Sequence, residues 1–194
     1  MKERPILFSA PMVQAILEGR KTQTRRVAKG TRAEGVSRCH WSGTGWAHLA
    51  AHGGCTCQPV ACPYGKPGDR LWVREAWAVQ HEYDAFAPSE IGSSARWHYA
   101  ATEDLGGLRK RPSIFLPRRG SRITLEITDV RVERLQQISD ADALAEGCST
   151  VDMRSGDSLA SVYARLWQSI HGPDSWNANP WVWVMEFRRV GAET

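Results

Sequence analysis

The sequence lacks any long hydrophobic run. Nowhere in its 194 residues is there the stretch of about 18 or more apolar residues that a membrane-spanning helix needs. Residues 1–5 carry charge and lead into only a short apolar segment. We therefore expect neither a signal peptide nor a membrane-spanning segment, no membrane partner and a cytoplasmic location. Strong charge of one sign is also missing, because the formal net charge is only +4. This is compatible with nucleic-acid or nucleotide ligands but does not require them.

The five cysteines do not form an even set, which disfavours a disulfide framework in a chain without a secretion signal. Cys148 stands apart from the others. The remaining four lie close together among histidines: Cys39, Cys55, Cys57 and Cys62, with His40, His48 and His52. A tetrahedral zinc site is the weaker alternative here, because the spacing is not that of two short knuckles. Free thiols in an inserted segment are the simpler interpretation, and we expect no metal and no cofactor.

One octapeptide has no carboxylate at all: Gly19-Arg20-Lys21-Thr22-Gln23-Thr24-Arg25-Arg26. It follows an apolar helical segment, Met12–Glu18. Burying unpaired charge costs several kcal/mol per ion, so the segment is expected to face solvent or an anionic ligand.

Helix signals occur in three places. Ser9 and Pro11 open the first helix, with Gly19 at its end. Ser139 and Asp142 form a box-like cap for a second helix, which Gly147 stops. A third helix begins near Asp157, carries Leu159, Val162, Leu166 and Ile170 on one face and ends at Gly172-Pro173.

Strand patterns cover 70–77, 122–133 and 181–190. In the last of these the run Trp181–Phe187 is apolar on both faces at first, which predicts a central strand. Two loop-rich segments, at about 29–62 and 81–119, interrupt these elements and are interpreted as insertions in a single domain covering 1–194.

Together, the octapeptide after a helix, Gly68-Asp69, Arg131-Val132-Glu133, Ala145-Glu146-Gly147 and Glu186-Phe187 resemble the ASCH domain. The resemblance covers about half of the chain. It is greatest to a phage and prophage group, with stretches similar to Cys62–Gly65 and Trp72–Glu75. The resemblance implies an α+β fold with a small PUA-like β-barrel and flanking helices, in a superfamily associated with RNA.

The broad family pattern is Gly-x-Lys-x-x-Glu-x-Arg, and Thr24 replaces its glutamate here. A branch of small ASCH enzymes that deacetylates acetylcytidine has a similar Lys-Thr-x-Thr stretch. That likeness implies catalytic roles for Lys21, Thr24 and Glu146. Substrate contacts are then expected from Gly19, Arg20, Arg26 and Arg74.

A threonine hydroxyl needs a base, and a lysine can serve once burial or neighbouring cations lower its pKa. In a regular strand, however, Lys21 and Thr24 would point to opposite faces, so the segment must bend for them to meet.

The cations Arg109, Lys110, Arg111, Arg118 and Arg119 are candidates for contact with nucleic acid, and tryptophans in predicted loops could stack on unpaired bases. A solvated charged loop remains an alternative. The expected partner is RNA or a modified nucleoside, and the oligomeric state is open. Besides deacetylation, the alternatives are a non-catalytic RNA-binding or regulatory module and a ribonuclease.

Overall fold

The computed structural model describes residues 1–28, 36–41, 46–50, 61–92 and 94–191, with the backbone alone for 36–41 and 46–50. Its strands are β1 (Glu3–Leu7), β2 (Gln23–Val27), β3 (Val36–Trp41), β4 (Trp46–Ala50), β5 (Arg70–Arg74), β6 (Trp77–Ala78), β7 (His98–Tyr99), β8 (Thr124–Arg134) and β9 (Trp181–Val190). Its helices are α1 (Ala10–Leu17), α2 (Asp140–Ala145) and α3 (Leu159–His171).

A five-stranded sheet in the order β1-β5-β8-β9-β2 organises the fold. β1 runs parallel to β5, and the other neighbours are antiparallel. The α+β prediction is confirmed. The sheet begins with β1 and ends with β2, and no ladder joins these two strands within the described ranges.

β9 lies inside the sheet, as its double-faced apolar pattern predicts. Trp181, Trp183, Met185 and Phe187 belong to the hydrophobic cluster on the α1 face. Val182 and Val184 belong to the cluster formed with α2 and α3. Since side chains alternate along a strand, these two sets mark its two buried faces.

The predicted helix signals are confirmed. Ser9 precedes α1 in an extended conformation, and Pro11 stands in its first turn. Ser139 and Asp142 form a reciprocal capping box at α2, which satisfies amide groups that a helix start leaves unpaired. The C-terminal ends of α1 and α2 both contact the chain just before β2, where Lys21 N donates to Ala15 O and Thr22 N donates to Ala145 O.

The predicted apolar face of α3 is partly wrong. Leu159 and Val162 are buried, but the other buried residues of this helix are Tyr163 and Trp167. Ile170 is instead 54% exposed. The helix is therefore rotated about its axis relative to the prediction. Both polar and apolar side chains of α3 face an open space beside α1.

Much of the segment 81–119 packs around a separate small cluster: Trp77, Val79, Ile91, Ala95 and Leu116. The segment 29–62 contains the antiparallel pair β3–β4, which the sequence did not predict. That both segments are insertions stays a prediction. Of the helices in the described ranges, none is long and apolar enough to cross a membrane.

Candidate active site

The octapeptide enters the sheet at its outer edge. Thr22 O accepts a hydrogen bond from Phe187 N at 2.8 Å, so this carbonyl points toward β9. Successive carbonyls of an extended chain point in opposite directions, so Gln23 O points away from the sheet. The Lys21 side chain turns back to this free edge, where Nζ donates to Gln23 O at 2.8 Å.

Lys21 is almost completely enclosed, with 2% exposure. Besides Gln23 O, its amine donates to Glu146 O at 2.7 Å and to Glu146 Oε2 at 2.8 Å. Burial is the largest influence on this amine and lowers its pKa below the usual 10.5, while the Glu146 carboxylate acts in the opposite direction. The amine is thus poised to lose a proton more readily than a surface lysine.

Glu146 connects two buried cations. While Lys21 binds Oε2, Arg25 Nη1 donates to Oε1 at 3.2 Å. The carboxylate is 3% exposed and the Arg25 side chain fully enclosed. Removing either cation would leave buried charge uncompensated, which is far more costly than losing a surface ion pair.

A further layer of charge surrounds Arg25. Its guanidinium binds Glu133 closely and approaches Asp142 Oδ2 at 3.5 Å. Arg131 joins the same two carboxylates, with Nη2 at 2.8 Å from Asp142 Oδ1. We call Lys21, Arg25, Arg131, Glu133, Asp142 and Glu146 the ionic cluster.

The expectation that the octapeptide faces solvent or an anionic ligand is therefore wrong for Lys21 and Arg25. Their side chains have no exposed surface. Their partners are carboxylates from β8 and from the residue that follows α2, more than a hundred positions along the chain. This burial does not violate the rule against burying unpaired charge, because the two buried cations are paired.

Gly147 allows α2 and the octapeptide to come together. It has φ of +94°, and a Cβ there would lie 3.2 Å from Ala15 Cβ and 3.3 Å from Lys21 Cβ. Only glycine adopts this backbone conformation without strain and also leaves room for the lysine stem. The Gly147 position thus fixes Glu146 beside Lys21.

Thr24 and Arg25 occupy opposite faces of β2. In the ladder with β9, Arg25 pairs with Val184 and Thr24 pairs with Met185. Directly paired residues share a face, so Thr24 faces the α1 side of the sheet. The lysine amine lies at the strand edge between the two faces, and it lies 5.7 Å from the centroid of the Phe8 ring.

Thr24 is 1% exposed, and its hydroxyl oxygen accepts from Arg26 Nη1 at 3.0 Å. Among the described residues no acceptor receives the Thr24 hydroxyl proton, so that proton is free for a base. Arg26 is further held by Arg25 O and Leu7 O. Its guanidinium lies 5.3 Å from the centre of the Phe8 ring.

A cavity of about 410 Å³ opens between the start of α1 and the side of α3. Arg25, Arg26 and Glu146 line it together with the aromatic residues Phe8, Tyr163, Trp167 and His171, and with Leu7, Ser9, Met12, Ser113, Leu166 and Ile170. Lys21 and Thr24 are not lining residues. Each contacts a residue that does line the cavity: Lys21 contacts Glu146, and Thr24 contacts Arg26.

A second cavity of about 500 Å³ adjoins the first. Ser9, Met12, Glu146 and Leu166 line both. Cys148 also lines the second, where burial raises the pKa of its thiol to about 11. This thiol is therefore protonated at neutral pH and is a poor nucleophile.

The other expected substrate contacts are scattered. Gly19, with φ of +75°, ends α1. The exposed Arg20 side chain binds Glu18 and approaches Gly147 O at 3.4 Å. Arg74 lies over the Trp72 ring at 4.6 Å. Of the four, Arg26 alone lines the cavity beside Glu146.

The candidate nucleic-acid contacts separate into two kinds. Arg109, Lys110, Arg118 and Arg119 are exposed, and their role stays a prediction. Arg111 is 8% exposed. Its terminal nitrogens donate to the carbonyls of Tyr83, Asp84 and Phe86, so its charge is held inside the 81–119 segment.

The zinc alternative falls mostly on Cys39, Cys55 and Cys57, whose side chains lie outside the described residues. Cys62 is buried, and burial raises the pKa of its thiol. Within the described part of the chain, no three histidine, cysteine or acidic side chains are grouped so as to hold a metal ion.

Several site residues were not predicted from sequence, Arg25 and Tyr163 among them. Arg25 was counted only among the cations of the octapeptide, and Tyr163 was not distinguished within α3. A usable signal for Arg25 was Glu133, a carboxylate in an otherwise half-apolar strand. No comparable signal marks Tyr163, because its role depends on how α3 is rotated.

No family model and no curated protein matches the chain. Among solved structures it is similar to an ASCH domain from Lactobacillus crispatus JV V101, with 11% identity, a TM-score of 0.47, and coverage of 97% of this chain and 80% of that one. It is also similar to a DUF984 protein from Enterococcus faecalis V583, with 12% identity, a TM-score of 0.44, and coverage of 98% and 80%. At TM-scores below 0.5 these similarities carry no inference about function.

Proposed function

We propose that this protein is an amidohydrolase that removes an acyl group from the exocyclic nitrogen of a modified nucleoside of the acetylcytidine type. One observation carries the proposal. The Glu146 carboxylate lines the cavity and is bound 2.8 Å away by the buried Lys21 amine. A buried acid–base pair at the wall of a cavity is typical of catalytic sites.

The cavity suits a small aromatic ligand. Its volume of about 410 Å³ is within the range of about 300–1,000 Å³ usual for small-molecule sites. Phe8, Tyr163 and Trp167 provide apolar walls, and Arg26 and Glu146 provide polar ones. A nucleobase presents both kinds of surface.

Thr24 is the proposed nucleophile. The Lys21 ammonium first transfers a proton to Glu146 through their hydrogen bond, which leaves a neutral amine. Among the described residues no hydrogen bond joins Lys21 to Thr24, so substrate binding has to bring the Thr24 hydroxyl to this amine. The amine then accepts the hydroxyl proton as the oxygen attacks the acyl carbon. The carbon–nitrogen bond then breaks, the leaving amine takes the proton held by Glu146, and water later releases the acyl group from Thr24.

Arg26 would have a gating role in this scheme. Its guanidinium binds the Thr24 oxygen and also lines the cavity, so it covers the nucleophile in the free protein. Substrate binding would move it aside.

The proposal is tested by incubating the purified protein with N4-acetylcytidine and measuring acetate and cytidine. We expect turnover by the wild type and a loss of about 100-fold or more in Thr24→Ala and Glu146→Gln. Glu126→Gln is the matched control, because Glu126 pairs with the exposed Arg188 and neither residue lines the cavity. Full activity in Thr24→Ala, or no turnover by the wild type, would refute the proposal.

A second candidate is RNA binding. Its support is the exposed cations Arg109, Lys110, Arg118 and Arg119 in the same segment as Phe115, which is 58% exposed. Ser113 of the same segment lines the cavity. A salt-dependent affinity for single-stranded RNA that survives Thr24→Ala and falls in Arg109→Gln/Lys110→Gln would favour this function. Strand breaks in the same RNA would instead indicate a ribonuclease.

A further inference from the structure

Tyr163 is more deeply buried than Tyr64, Tyr83 and Tyr99, which are half-buried. It is 4% exposed, yet its hydroxyl has no hydrogen-bond partner among the described residues. By contrast, the Tyr99 hydroxyl donates to Gly120 O at 2.9 Å, and the Tyr83 hydroxyl lies 3.3 Å from Ser94 Oγ. The hydroxyl oxygen is not sealed from solvent, in contrast to the Trp167 indole nitrogen, so a molecule in the cavity can complete its hydrogen bonding.

The position of Tyr163 indicates what that could be. Its side chain lines the same cavity as Glu146. Its ring packs against Trp167 at 6.2 Å between centroids, and the Arg25 guanidinium lies 5.8 Å from its centre. These two contacts restrict the ring, so the hydroxyl is preorganised.

The hydroxyl is a hydrogen-bond donor at any physiological pH. Burial is the largest influence on Tyr163 and, with the Glu146 charge, raises its pKa well above the usual 10. A phenol held in the neutral form keeps its proton available for donation to an oxygen that gains negative charge.

The other buried donors lining the cavity are committed or inaccessible. The Arg25 side chain binds Glu133 and Glu146. The Trp167 indole nitrogen has no partner but is sealed from solvent. Among the buried lining residues in the described ranges, Tyr163 therefore supplies the uncommitted donor, and Glu146 supplies the anionic acceptor.

This pair of groups matches the two polar ends of an acyl amide, which presents one carbonyl acceptor and one N–H donor. We propose that the Tyr163 hydroxyl donates a hydrogen bond to the carbonyl oxygen of the acyl group, while Glu146 faces the amide nitrogen. The assignment rests on the proposed amidohydrolase function. It makes Tyr163 a catalytic residue, because the carbonyl oxygen becomes negatively charged when the nucleophile adds.

The test is the variant Tyr163→Phe, assayed on N4-acetylcytidine together with the wild type. Loss of one such donor typically lowers the rate by about 100- to 1,000-fold. We expect kcat to fall by about 100-fold with a much smaller change in KM. The melting temperature should be unchanged or slightly higher, since the lost hydroxyl has no partner in the folded chain.

Tyr83→Phe is the matched control, because its hydroxyl lies outside the cavity and its loss should leave kcat and KM unchanged. A Tyr163→Phe rate within twofold of the wild type would overturn the assignment while leaving the amidohydrolase function intact.

If the wild type does not cleave N4-acetylcytidine, the proposed function fails and binding decides the role of Tyr163. Calorimetric titration with N4-acetylcytidine and with cytidine then compares both forms of the protein. A severalfold weaker binding of the acetylated nucleoside alone by Tyr163→Phe would support the hydrogen bond. Equal affinities, or no binding of N4-acetylcytidine by the wild type, would overturn it.

Discussion

Two segments of this chain have nearly the same sequence character and opposite structures. The octapeptide 19–26 and the segment 109–119 are both rich in cations and poor in acids. In the first, the side chains of Lys21 and Arg25 are completely buried. In the second, four of the five cations stay on the surface. Distant carboxylates pair with cations of both segments, but Glu146 is 3% exposed where it binds Lys21 and Arg25, whereas Glu3 binds Arg118 at the surface.

Arg111 makes the contrast sharper. It is the buried cation of the second segment, and it is held by backbone carbonyls and the Trp77 ring. The ionic cluster instead uses full carboxylate charges next to a cavity. Carbonyls can hold a cation in place, but only ionisable partners allow proton exchange. The comparison therefore favours the first segment as the chemical site.

The largest expected effect is from removing the shared carboxylate. Glu146→Ala leaves Lys21 and Arg25 buried without it, and we expect the free energy of unfolding to fall by about 3–5 kcal/mol. Urea denaturation measures this. Glu126→Ala, which breaks the exposed pair with Arg188, should cost less than about 1 kcal/mol. Equal losses in both variants would show that the ionic cluster stabilises the fold no more than an exposed ion pair does.

Gly147→Ala should have the next largest effect. The new Cβ must tolerate a φ of +94° and push against Ala15 and Lys21. We expect a loss of about 2 kcal/mol in unfolding free energy. Gly156→Ala is the matched control: its φ is +85°, but a Cβ there meets nothing within 4 Å. If the two variants lose the same free energy of unfolding, then the contacts of the new Cβ with Ala15 and Lys21 add nothing to the cost of the substitution.

Acid should weaken the ionic cluster in a defined range. Desolvation raises the pKa of Asp142, but hydrogen bonds from Ser139 and Gln23 and the Arg25 charge outweigh it and lower the pKa to about 2. An unfolded aspartate titrates near about 3.9. The stabilisation is therefore full above about pH 4 and is lost as the pH falls toward 2. In Asp142→Asn, urea titrations should show a smaller dependence on pH across this range.

The smallest effect on stability is expected in the exposed segment. Arg109→Gln/Lys110→Gln should change the free energy of unfolding by less than about 0.5 kcal/mol, as for ordinary surface substitutions. Thermal denaturation checks this. A loss comparable to that of Glu146→Ala would mean that these cations support the fold as the ionic cluster does.

Local signals in the sequence predicted the elements, since capping residues, glycines and alternation act within a few positions. Ser139 with Asp142 fixes the start of α2, and the double-faced apolar run of β9 gives its central place in the sheet. The pairing of Lys21 with Glu146 joins residues 125 positions apart. No local pattern encodes it, although the family resemblance selected both residues.

The rotation of α3 was equally hidden from the sequence. Its apolar residues surround much of the helix, so hydrophobic spacing alone did not distinguish Tyr163 and Trp167 from Leu166 and Ile170. Packing of the buried face of α3 against α2 and β9 decides the orientation and leaves Ile170 exposed. Sequence reasoning therefore found the catalytic candidates more readily than the walls around them.

The most direct test of the account is an NMR titration of the Lys21 side chain, using protein labelled at the lysine ε-carbon. If Lys21 is enclosed beside the cavity as described, its amine should titrate clearly below the ordinary 10.5, because burial outweighs the attraction of Glu146. A midpoint at or above 10.5 would contradict the account, since the lysine would then be an ordinary ammonium unable to serve as the base.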